Sequence, residues 1–273
     1  MRLCVIGNSH VAMLMAAHAA DPAGITPAWF AKPGLRPDEM VLNGTVLSAA
    51  SEELRARLDG FGTAPVLDLA AFDAVAIVAL APSVFAAMRL LQDHDVTGWP
   101  SGTRRVAKAL RSERPLKRPL LTRAALRAAL IGQMQASPAA GLAAALRATA
   151  PDLPVSFIAQ PFPAESMLSA ESRYPVFRRI AEAGDGAALA EDLSAAEDAV
   201  FCPLGTAILR QPTETVARGC HSRDVVMRGA KRLAGGRQQD EDPLHANAVL
   251  GADLLCRLYR SHESHKITLK TDI

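Results

Sequence analysis

Two short segments at opposite ends of the chain carry the residue types of a nucleophilic site. Near the N-terminus, Gly7-Asn8-Ser9-His10 follows the apolar run at 3–6 and precedes an alanine-rich segment. A serine between a parallel strand and a helix places its hydroxyl at the carboxyl edge of the sheet, where open α/β folds bind their ligands. The next helix directs free backbone N–H groups and a partial positive charge toward that edge. The junction therefore suits a nucleophile whose attack creates an oxyanion.

Near the C-terminus, Asp242-Pro243-Leu244-His245 supplies what a serine nucleophile needs. A serine hydroxyl is a weak nucleophile at neutral pH and needs a base to accept its proton. His245 is the candidate base, and Asp242 is placed to orient its imidazole and to stabilise the protonated ring. Pro243 stiffens the loop between them. Asn247 follows, where its side chain is expected to cap the last helix or to bond with the loop.

These two segments together resemble the sequence blocks of the SGNH, or GDSL-like, serine hydrolase superfamily. Members of that family open with a strand, Gly-Asp/Asn-Ser and a helix, and they close with Asp-x-x-His before an apolar helix. The corresponding segments here are GNSH at 7–10 and DPLHANAVLGADLL at 242–255. The resemblance implies a flavodoxin-like, three-layer α/β/α domain and the chemistry of a serine esterase or acyltransferase.

The resulting hypothesis assigns Ser9 as nucleophile, His245 as base and Asp242 as the carboxylate behind the base. Asn8 and Asn247 are the supporting residues beside them. The hypothesis requires Ser9 and His245 to meet in space, which first and last βα loops can do when both lie at the carboxyl edge of the sheet. Such a mechanism requires no metal and no organic cofactor.

The oxyanion hole is the part of the family pattern that this sequence matches least. In the family, its donors are the nucleophile's own N–H, a glycine N–H and an asparagine side chain that follows the central strand. Here that strand is followed by Leu-Ala-Pro-Ser at 80–83, without glycine or asparagine. The candidate donors are therefore the N–H of Ser9, Gly44 and the hydroxyl of Ser83. Asn-Gly within 40–47 equally predicts the type I′ turn of a β-hairpin.

Three functions are compatible with these residues. The first is a serine esterase acting on a small acyl ester, such as an acetyl group on a glycan or another small metabolite. The second is an O-acyltransferase that uses the same site and passes the acyl group to an alcohol. The third is a binding protein with impaired catalysis, because loss of one oxyanion donor costs about 100- to 1000-fold in turnover. His10 is interpreted as a packing or surface histidine without an assigned role.

Composition and charge narrow the range of partners. Aromatic residues are scarce, at 4%, which argues against a carbohydrate-binding module built on stacked rings, and the formal charge of +2 argues against a nucleic-acid binder. The block 104–127 nevertheless contains nine Lys or Arg residues and one acid, Glu113. A block of this kind can bind an anionic ligand or lie against an acidic membrane surface. Alternatively, it is a solvated insertion whose arginine stems cover apolar helix faces.

The N-terminal segment imitates a signal peptide, with Arg2, an apolar stretch and Ala-His-Ala at 17–19. Cleavage there would discard Ser9 together with the first strand. No later apolar run reaches about 18 residues without a charge or breaker, so no transmembrane segment is predicted. The cysteines follow no metal-binding or C-x-x-C spacing and predict free thiols in a reducing, cytoplasmic setting; they are Cys4, Cys202, Cys220 and Cys256.

Alternating strands and helices predict one α/β domain over 1–260 with a central, mainly parallel sheet. The predicted strands are 2–6, 26–31, 74–80, 154–160 and an edge strand at 207–210. The predicted helices are 11–20, 51–58, 84–91, 124–150 with a break at Ser137-Pro138, and 246–258. Residues 99–123 are expected to form an irregular, proline-interrupted basic insertion, and 261–273 a mobile tail.

Overall fold

A five-stranded sheet lies at the centre of the fold in the computed structural model, which describes residues 1–112, 115–169, 174–234, 236–239 and 242–271. The strands are β1 Arg2–Gly7, β2 Thr26–Ala31, β3 Met40–Asn43, β4 Val46–Ala49, β5 Val66–Asp68, β6 Ala74–Val78, β7 Asp95–Thr97, β8 Leu120–Thr122, β9 Val155–Ile158, β10 Ala207–Leu209, β11 Val216–Ala217 and β12 His221–Ser222. The helices are α1 Val11–Ala20, α2 Glu52–Gly60, α3 Val84–Leu91, α4 Pro100–Ser112, α5 Arg123–Gln135, α6 Pro138–Thr149, α7 Pro175–Ala183, α8 Gly186–Phe201 and α9 Ala248–Thr271.

The central sheet has the order β10-β9-β6-β1-β2, and its neighbouring strands are parallel. Side chains of a strand alternate between the two faces of a sheet. Accordingly, Cys4 and Ile6 enter the core shared with α3, α6 and α8, whereas Leu3 and Val5 enter the core shared with α1 and α9. Helices thus cover both faces, which is the predicted three-layer α/β/α architecture.

The elements nearest the candidate site follow the sequence closely. Helices α1 and α3 and strand β2 have the predicted bounds, and β10 is the predicted edge strand. Strand β6 ends at Val78, earlier than predicted, because Ala79 takes a positive φ of 52° and turns the chain away from the sheet. Few side chains adopt this backbone conformation, so the turn after β6 is a strained one.

The hairpin predicted over 40–47 is formed by β3 and β4, which pair antiparallel. Its turn differs from the predicted type I′, which needs a positive φ at both central residues. The Asn43–Val46 pair closes the turn, so its central residues are Gly44 and Thr45. Of these two, only Gly44 has a positive φ, of 58°.

The expectation of an irregular insertion at 99–123 is wrong for most of its described length. Helix α4 occupies Pro100–Ser112, and the parallel pair of β7 with β8 holds the two ends of the segment together. Pro100 lies at the first position of the helix, where a backbone N–H would have no partner within the helix. Proline lacks this N–H at no cost there, so Pro100 starts the helix instead of breaking it. Asp185 accepts hydrogen bonds from the N–H and hydroxyl of Ser101 and so caps that first turn. Residues 113–114 lie outside the described part.

The closing helix begins at Ala248 and continues to Thr271, well past the predicted end at 258. Leu254, Leu258 and His262 are all buried, so one face of α9 keeps packing beyond that point. Residues 261–271 therefore continue the helix instead of forming a separate tail, and 272–273 lie outside the described residues. Among the helices described, none combines the length and apolar character that crossing a bilayer requires.

Candidate active site

The loop after β1 and the loop before α9 meet at the carboxyl edge of the central sheet. Ser9 Oγ lies 2.9 Å from Nε2 of His245, and Nδ1 of that ring lies 2.8 Å from Oδ2 of Asp242. Both distances are those of hydrogen bonds. Because an ionised carboxylate can only accept, the bond to Asp242 favours the tautomer with its proton on Nδ1, which leaves Nε2 free to accept from the serine. The structure thus brings together the three side chains that the sequence hypothesis needs.

The tight turn before Ser9 depends on a glycine. A Cβ added to Gly7 would lie 2.6 Å from Cγ2 of Val11 and 2.8 Å from the carbonyl oxygen of Val78. Neither separation is tolerated, so any side chain here would push β1 away from β6 or from α1. The absence of a side chain allows the chain to pass directly from the buried strand into the helix, with Ser9 between them.

Asn8 fixes the same turn through both ends of its amide. Its Oδ1 accepts a hydrogen bond of 3.0 Å from the N–H of His10, and its Nδ2 donates one of 2.7 Å to the carbonyl oxygen of Ala79. The second bond satisfies a carbonyl in the strained turn after β6. Asn8 therefore joins the loop that carries Ser9 to the loop that follows the central strand.

Asp242 and Pro243 hold the opposite loop in place. Oδ1 of Asp242 accepts a 2.8 Å hydrogen bond from the N–H of Leu244, so the carboxylate both orders its own loop and contacts His245. The carbonyl oxygen of Pro243 accepts a 2.8 Å hydrogen bond from Ala164, in the loop after β9. The histidine loop is thereby tied to a second strand end at the same edge of the sheet.

Asn247 connects this loop to α9. Its Oδ1 accepts from the N–H of Val249 at 2.9 Å, which caps the helix, and its Nδ2 donates to the carbonyl oxygens of Val225 and Arg228 at 2.8 and 2.9 Å. The predicted cap on the last helix is therefore present, whereas the loop to which the amide bonds contains Val225 and Arg228 and is not the predicted loop at 242–245.

His10 lies against the candidate base. Its ring stacks on that of His245 with centroids 5.0 Å apart and an interplanar angle of 27°. The residue is only 6% exposed, and within the described part of the chain its Nδ1 has no hydrogen-bond partner. Burial, helped by the neighbouring His245 and opposed by Asp242, lowers the pKa of His10 to about 3. The neutral ring of His10 therefore packs against one face of the His245 imidazole. The only sequence signal for this contact is a histidine directly after the serine, and it is a weak one.

Solvent reaches the site only in part. The side chains of His245 and Asp242 are 18% and 15% exposed, so water screens their interaction less than it screens a surface pair. A partly dry environment strengthens electrostatic interactions between fixed groups.

The other two candidate oxyanion donors are Ser83 and Gly44. Ser83 lies at the N-terminus of α3, after the strained turn, and its side chain does not cap that helix. Gly44 is in the turn of the β3–β4 hairpin, with open space where a side chain would extend. Among the hydrogen bonds of the described residues, neither residue is joined to Ser9 or His245. Their part in oxyanion binding stays a prediction.

The described residues contain no group of three or more His, Cys, Asp or Glu side chains arranged to hold a metal ion. The basic block is partly engaged in internal contacts. Arg123 and Arg127 both bind the buried carboxylate of Asp192, and Arg105 binds Asp95. These three of the nine cations of the block thus have internal acidic partners.

No family model and no curated protein sequence matches the chain. Among solved structures, an extracellular lipase from Streptomyces rimosus is similar at a TM-score of 0.45 and 16% identity, over 94% of this chain and 99% of that one. A putative arylesterase from Agrobacterium tumefaciens has a TM-score of 0.38 and 10% identity, over 96% and 98% of the two chains. A carbohydrate esterase family 2 enzyme from Corynascus thermopiles has a TM-score of 0.34 and 13% identity, over 96% and 66%. TM-scores this low do not place the chain in a family.

Proposed function

We propose that the chain is a serine esterase that hydrolyses a small acyl ester with Ser9, His245 and Asp242. The observation that supports the proposal most is the 2.9 Å separation between Ser9 Oγ and His245 Nε2, two atoms carried by residues 236 positions apart. A hydroxyl, an imidazole and a carboxylate in this order are the arrangement that activates a serine. If these three side chains only stabilised the fold, they would not need to form a chain from hydroxyl to imidazole to carboxylate at a partly exposed edge of the sheet.

In the proposed first step, Ser9 Oγ attacks the acyl carbon while His245 Nε2 takes the hydroxyl proton. Asp242 stabilises the imidazolium that forms. The N–H of Ser9, with Ser83 or Gly44, holds the negative oxygen of the tetrahedral intermediate. The alcohol then leaves with the proton of His245, and the acyl group remains bound to Ser9.

In the second step, the same groups release the acyl group. His245 takes a proton from water, the resulting nucleophile attacks the acyl carbon, and the carboxylic acid departs as the proton returns to Ser9. The neutral ring of His10 stays against His245 throughout and prevents a second positive charge from forming beside the imidazolium. No metal or organic cofactor takes part in these steps.

A cleft beside the loop after β2 supports a small, hydroxyl-rich alcohol as the leaving group. It has a volume of about 570 Å³ and is lined mainly by charged side chains, including Lys32, Glu39 and Arg57. The N–H of Lys32 donates to the carbonyl oxygen of Gly7 at 3.3 Å, so one lining residue of this cleft is bonded to the end of the strand that precedes Ser9. Charged donors and acceptors bind sugar hydroxyls well. We therefore propose an acetyl or similar small acyl ester of a glycan or small metabolite.

Fluorophosphonate labelling tests the proposed nucleophile directly. The wild-type protein should be modified at Ser9, and both Ser9→Ala and His245→Ala should lose the modification. Ser112→Ala, on the exposed end of α4, is the matched serine control and should label like the wild type. An unlabelled wild-type protein, under conditions that modify a known serine esterase, would contradict the proposal.

Product analysis separates the esterase from the two alternatives. Hydrolysis of 4-nitrophenyl acetate should release acetate, whereas transfer of the acetyl group to an added alcohol would favour an O-acyltransferase. A protein that binds esters but neither turns them over nor labels would be the catalytically impaired binding protein. The absence of an asparagine at 80–83 is the observation that favours this last alternative.

The proposal includes a cytoplasmic location. Removal of residues 1–19 as a signal peptide would take away β1, the strand between β6 and β2 in the central sheet, together with Ser9. All four cysteines are unpaired, in agreement with a reducing compartment. The protein from its native cells should retain residues 1–19, and N-terminal sequencing that shows cleavage after Ala19 would refute this part.

A further inference from the structure

A second cleft lies between α3 and α7, and none of its lining residues belongs to the site around Ser9. Its volume is about 570 Å³. Ligand pockets for small molecules typically measure about 300–1,000 Å³. Its walls combine apolar and aromatic side chains with three guanidinium groups, and no carboxylate lines it among the described residues. This composition differs from the mixed charges of the cleft beside β2.

Aromatic rings form the apolar wall of this second cleft. Phe85 meets Tyr174 and Phe177 edge to face, with centroids 5.7 and 5.0 Å apart. Phe177 is fully buried beneath the other two, whereas Tyr174 is 39% exposed. Edge-to-face packing fixes the orientation of the outer rings. Phe85 and Tyr174 therefore offer a rigid aromatic surface to the cleft.

The polar wall carries guanidinium groups from three separate elements. Arg89 of α3 is exposed and forms no ion pair with any other residue in the described part of the chain. Arg118, in the segment before β8, lies 4.0 Å from Oδ1 of Asp95, and Arg179 of α7 lies 3.5 Å from the same oxygen. Arg105 contacts both oxygens of that carboxylate most closely. One carboxylate thus faces three guanidinium groups.

The local charge remains positive after the nearest acids are counted. Asp185 is the other carboxylate whose field reaches Arg179, and its own hydrogen bonds go to Ser101. Among the residues that the structure describes, Asp95 and Asp185 therefore oppose four arginines, an excess of two positive charges; these arginines are Arg89, Arg105, Arg118 and Arg179. Burial lowers the pKa of Arg179, and the charge of Arg118 lowers it further. Crowded cations in a partly buried place are unfavourable until an anion compensates them.

We propose that the cleft between α3 and α7 binds an aromatic phosphate monoester, with its ring against Phe85 and Tyr174 and its phosphate between Arg89 and Arg118. A phosphate monoester carries about −1.5 to −2 charges at pH 7, which matches the local excess. Guanidinium groups pair with phosphate oxygens in a bidentate manner, and apolar rings pack well against aromatic faces. The aromatic wall of the cleft thus binds the ring of the ligand, and the cationic wall binds its phosphate.

The proposed site involves a smaller part of the block 104–127 than the sequence suggested for anion binding. Only Arg118 of that block lines the cleft, and Arg105 lies behind it on Asp95. Arg89 and Arg179, which complete the cationic wall, lie outside the block. The proposed anion site is therefore not the continuous basic segment itself but the cleft to which α3, the segment before β8 and α7 each contribute one arginine.

Titration calorimetry with phenyl phosphate tests the proposal. The wild-type protein should bind it saturably, and inorganic phosphate and phenol should each bind at least about tenfold more weakly, because each lacks one part of the ligand. Arg89→Gln with Arg118→Gln should weaken phenyl phosphate at least about tenfold. Phe85→Leu, which keeps the apolar volume but removes the ring, should weaken phenyl phosphate more than inorganic phosphate.

Three controls keep this test specific. Arg111→Gln removes an exposed charge of α4 outside the cleft and should leave binding unchanged, as should Ser9→Ala, because the esterase site is separate. Unfolding curves of the arginine variants should match the wild type, since Arg89 is exposed and the ion pair of Arg118 within the described part of the chain is long, at 4.0 Å from Asp95. Absence of saturable phenyl phosphate binding would overturn the proposal. Equal weakening by Arg111→Gln, or full binding by the double variant, would also overturn it.

Discussion

Replacing Gly251 by alanine tests how the two halves of the proposed site are brought together. Ser9 lies just before α1 and His245 just before α9, and these two helices pack side by side. Gly251 lies at their contact, where an added Cβ would stand 2.6 Å from the carbonyl carbon of Met13 and closer still to its oxygen. The alanine methyl group therefore cannot fit unless α9 moves away from α1.

The required displacement follows from the same distances. Ordinary van der Waals contact begins at 3.4 Å, so relief of the contact with the Met13 carbonyl carbon needs about 0.8 Å, and relief of the closer contact with its oxygen needs more than about 1 Å. If the larger shift is carried to the ends of the helices, the Ser9–His245 separation increases from 2.9 Å to about 4 Å, where no hydrogen bond forms. A misplacement of about 1 Å in a catalytic group costs roughly 100-fold in rate. Overpacking of a core contact also destabilises by about 1–3 kcal/mol.

The assay measures kcat/KM for 4-nitrophenyl acetate and the free energy of unfolding in urea. Gly251→Ala should lose about 100-fold in kcat/KM and about 1–3 kcal/mol in stability. Gly132→Ala is the matched control, because this helical glycine of α5 has no atom within 4 Å of an added Cβ. It should keep the wild-type rate and gain about 0.5–1 kcal/mol. A Gly251→Ala protein with the rate and stability of the wild type would refute the link between helix packing and site geometry.

Three further outcomes are expected. Asp242→Asn should keep the fold but favour the wrong imidazole tautomer, lowering kcat/KM on the order of 10⁴-fold; a loss under tenfold in the esterase assay would contradict the role of Asp242. Because the pKa of buried His10 is lowered from 6.5 to about 3, the unfolded chain takes up its proton first, so stability should fall as pH drops from 6.5 toward 3. Urea titrations across that range should show a smaller fall in His10→Phe, and an unchanged fall would contradict the buried, neutral state. Asp192→Ala should cost about 1–3 kcal/mol in urea unfolding, because it leaves the buried N–H of Trp99 without its acceptor, whereas Arg123 and Arg127 keep Glu191 as a partner; a loss below about 0.5 kcal/mol would contradict it.

Local sequence patterns predicted the secondary structure correctly where the structure of a segment depends on its own residues. The apolar run that became β1 predicted a buried strand, and the proline at 138 predicted the break between α5 and α6. Ser51 predicted the start of α2, and its hydroxyl accepts from the N–H of Leu54 at 3.2 Å. Hydrophobic runs, caps and breakers act over a few residues, so their effects can be seen without knowledge of the fold.

Predictions were wrong where distant residues decide the local structure. Helix α4 forms in a segment expected to be irregular, and the acid that caps its first turn, Asp185, lies 84 positions from Ser101. Helix α9 continues past its expected end because Leu258 and His262 are buried against the rest of the fold. The hairpin turn shifted by one residue because pairing of β3 with β4 selected the register. Each case depends on packing that no local window contains.

By itself, the sequence determined which residue types are available for chemistry and the order of the strands and helices that carry them. A serine after a buried strand and Asp-x-x-His before the last helix are features of residue identity and spacing. Only the tertiary structure decided that Ser9 and His245 meet, since their contact spans 236 positions and depends on α1 lying along α9. It also decided that His10 is a buried, neutral neighbour of His245, and that three distant arginines share one cleft. Side-chain chemistry is a property of each residue, whereas burial and proximity arise only when the helices pack on the sheet.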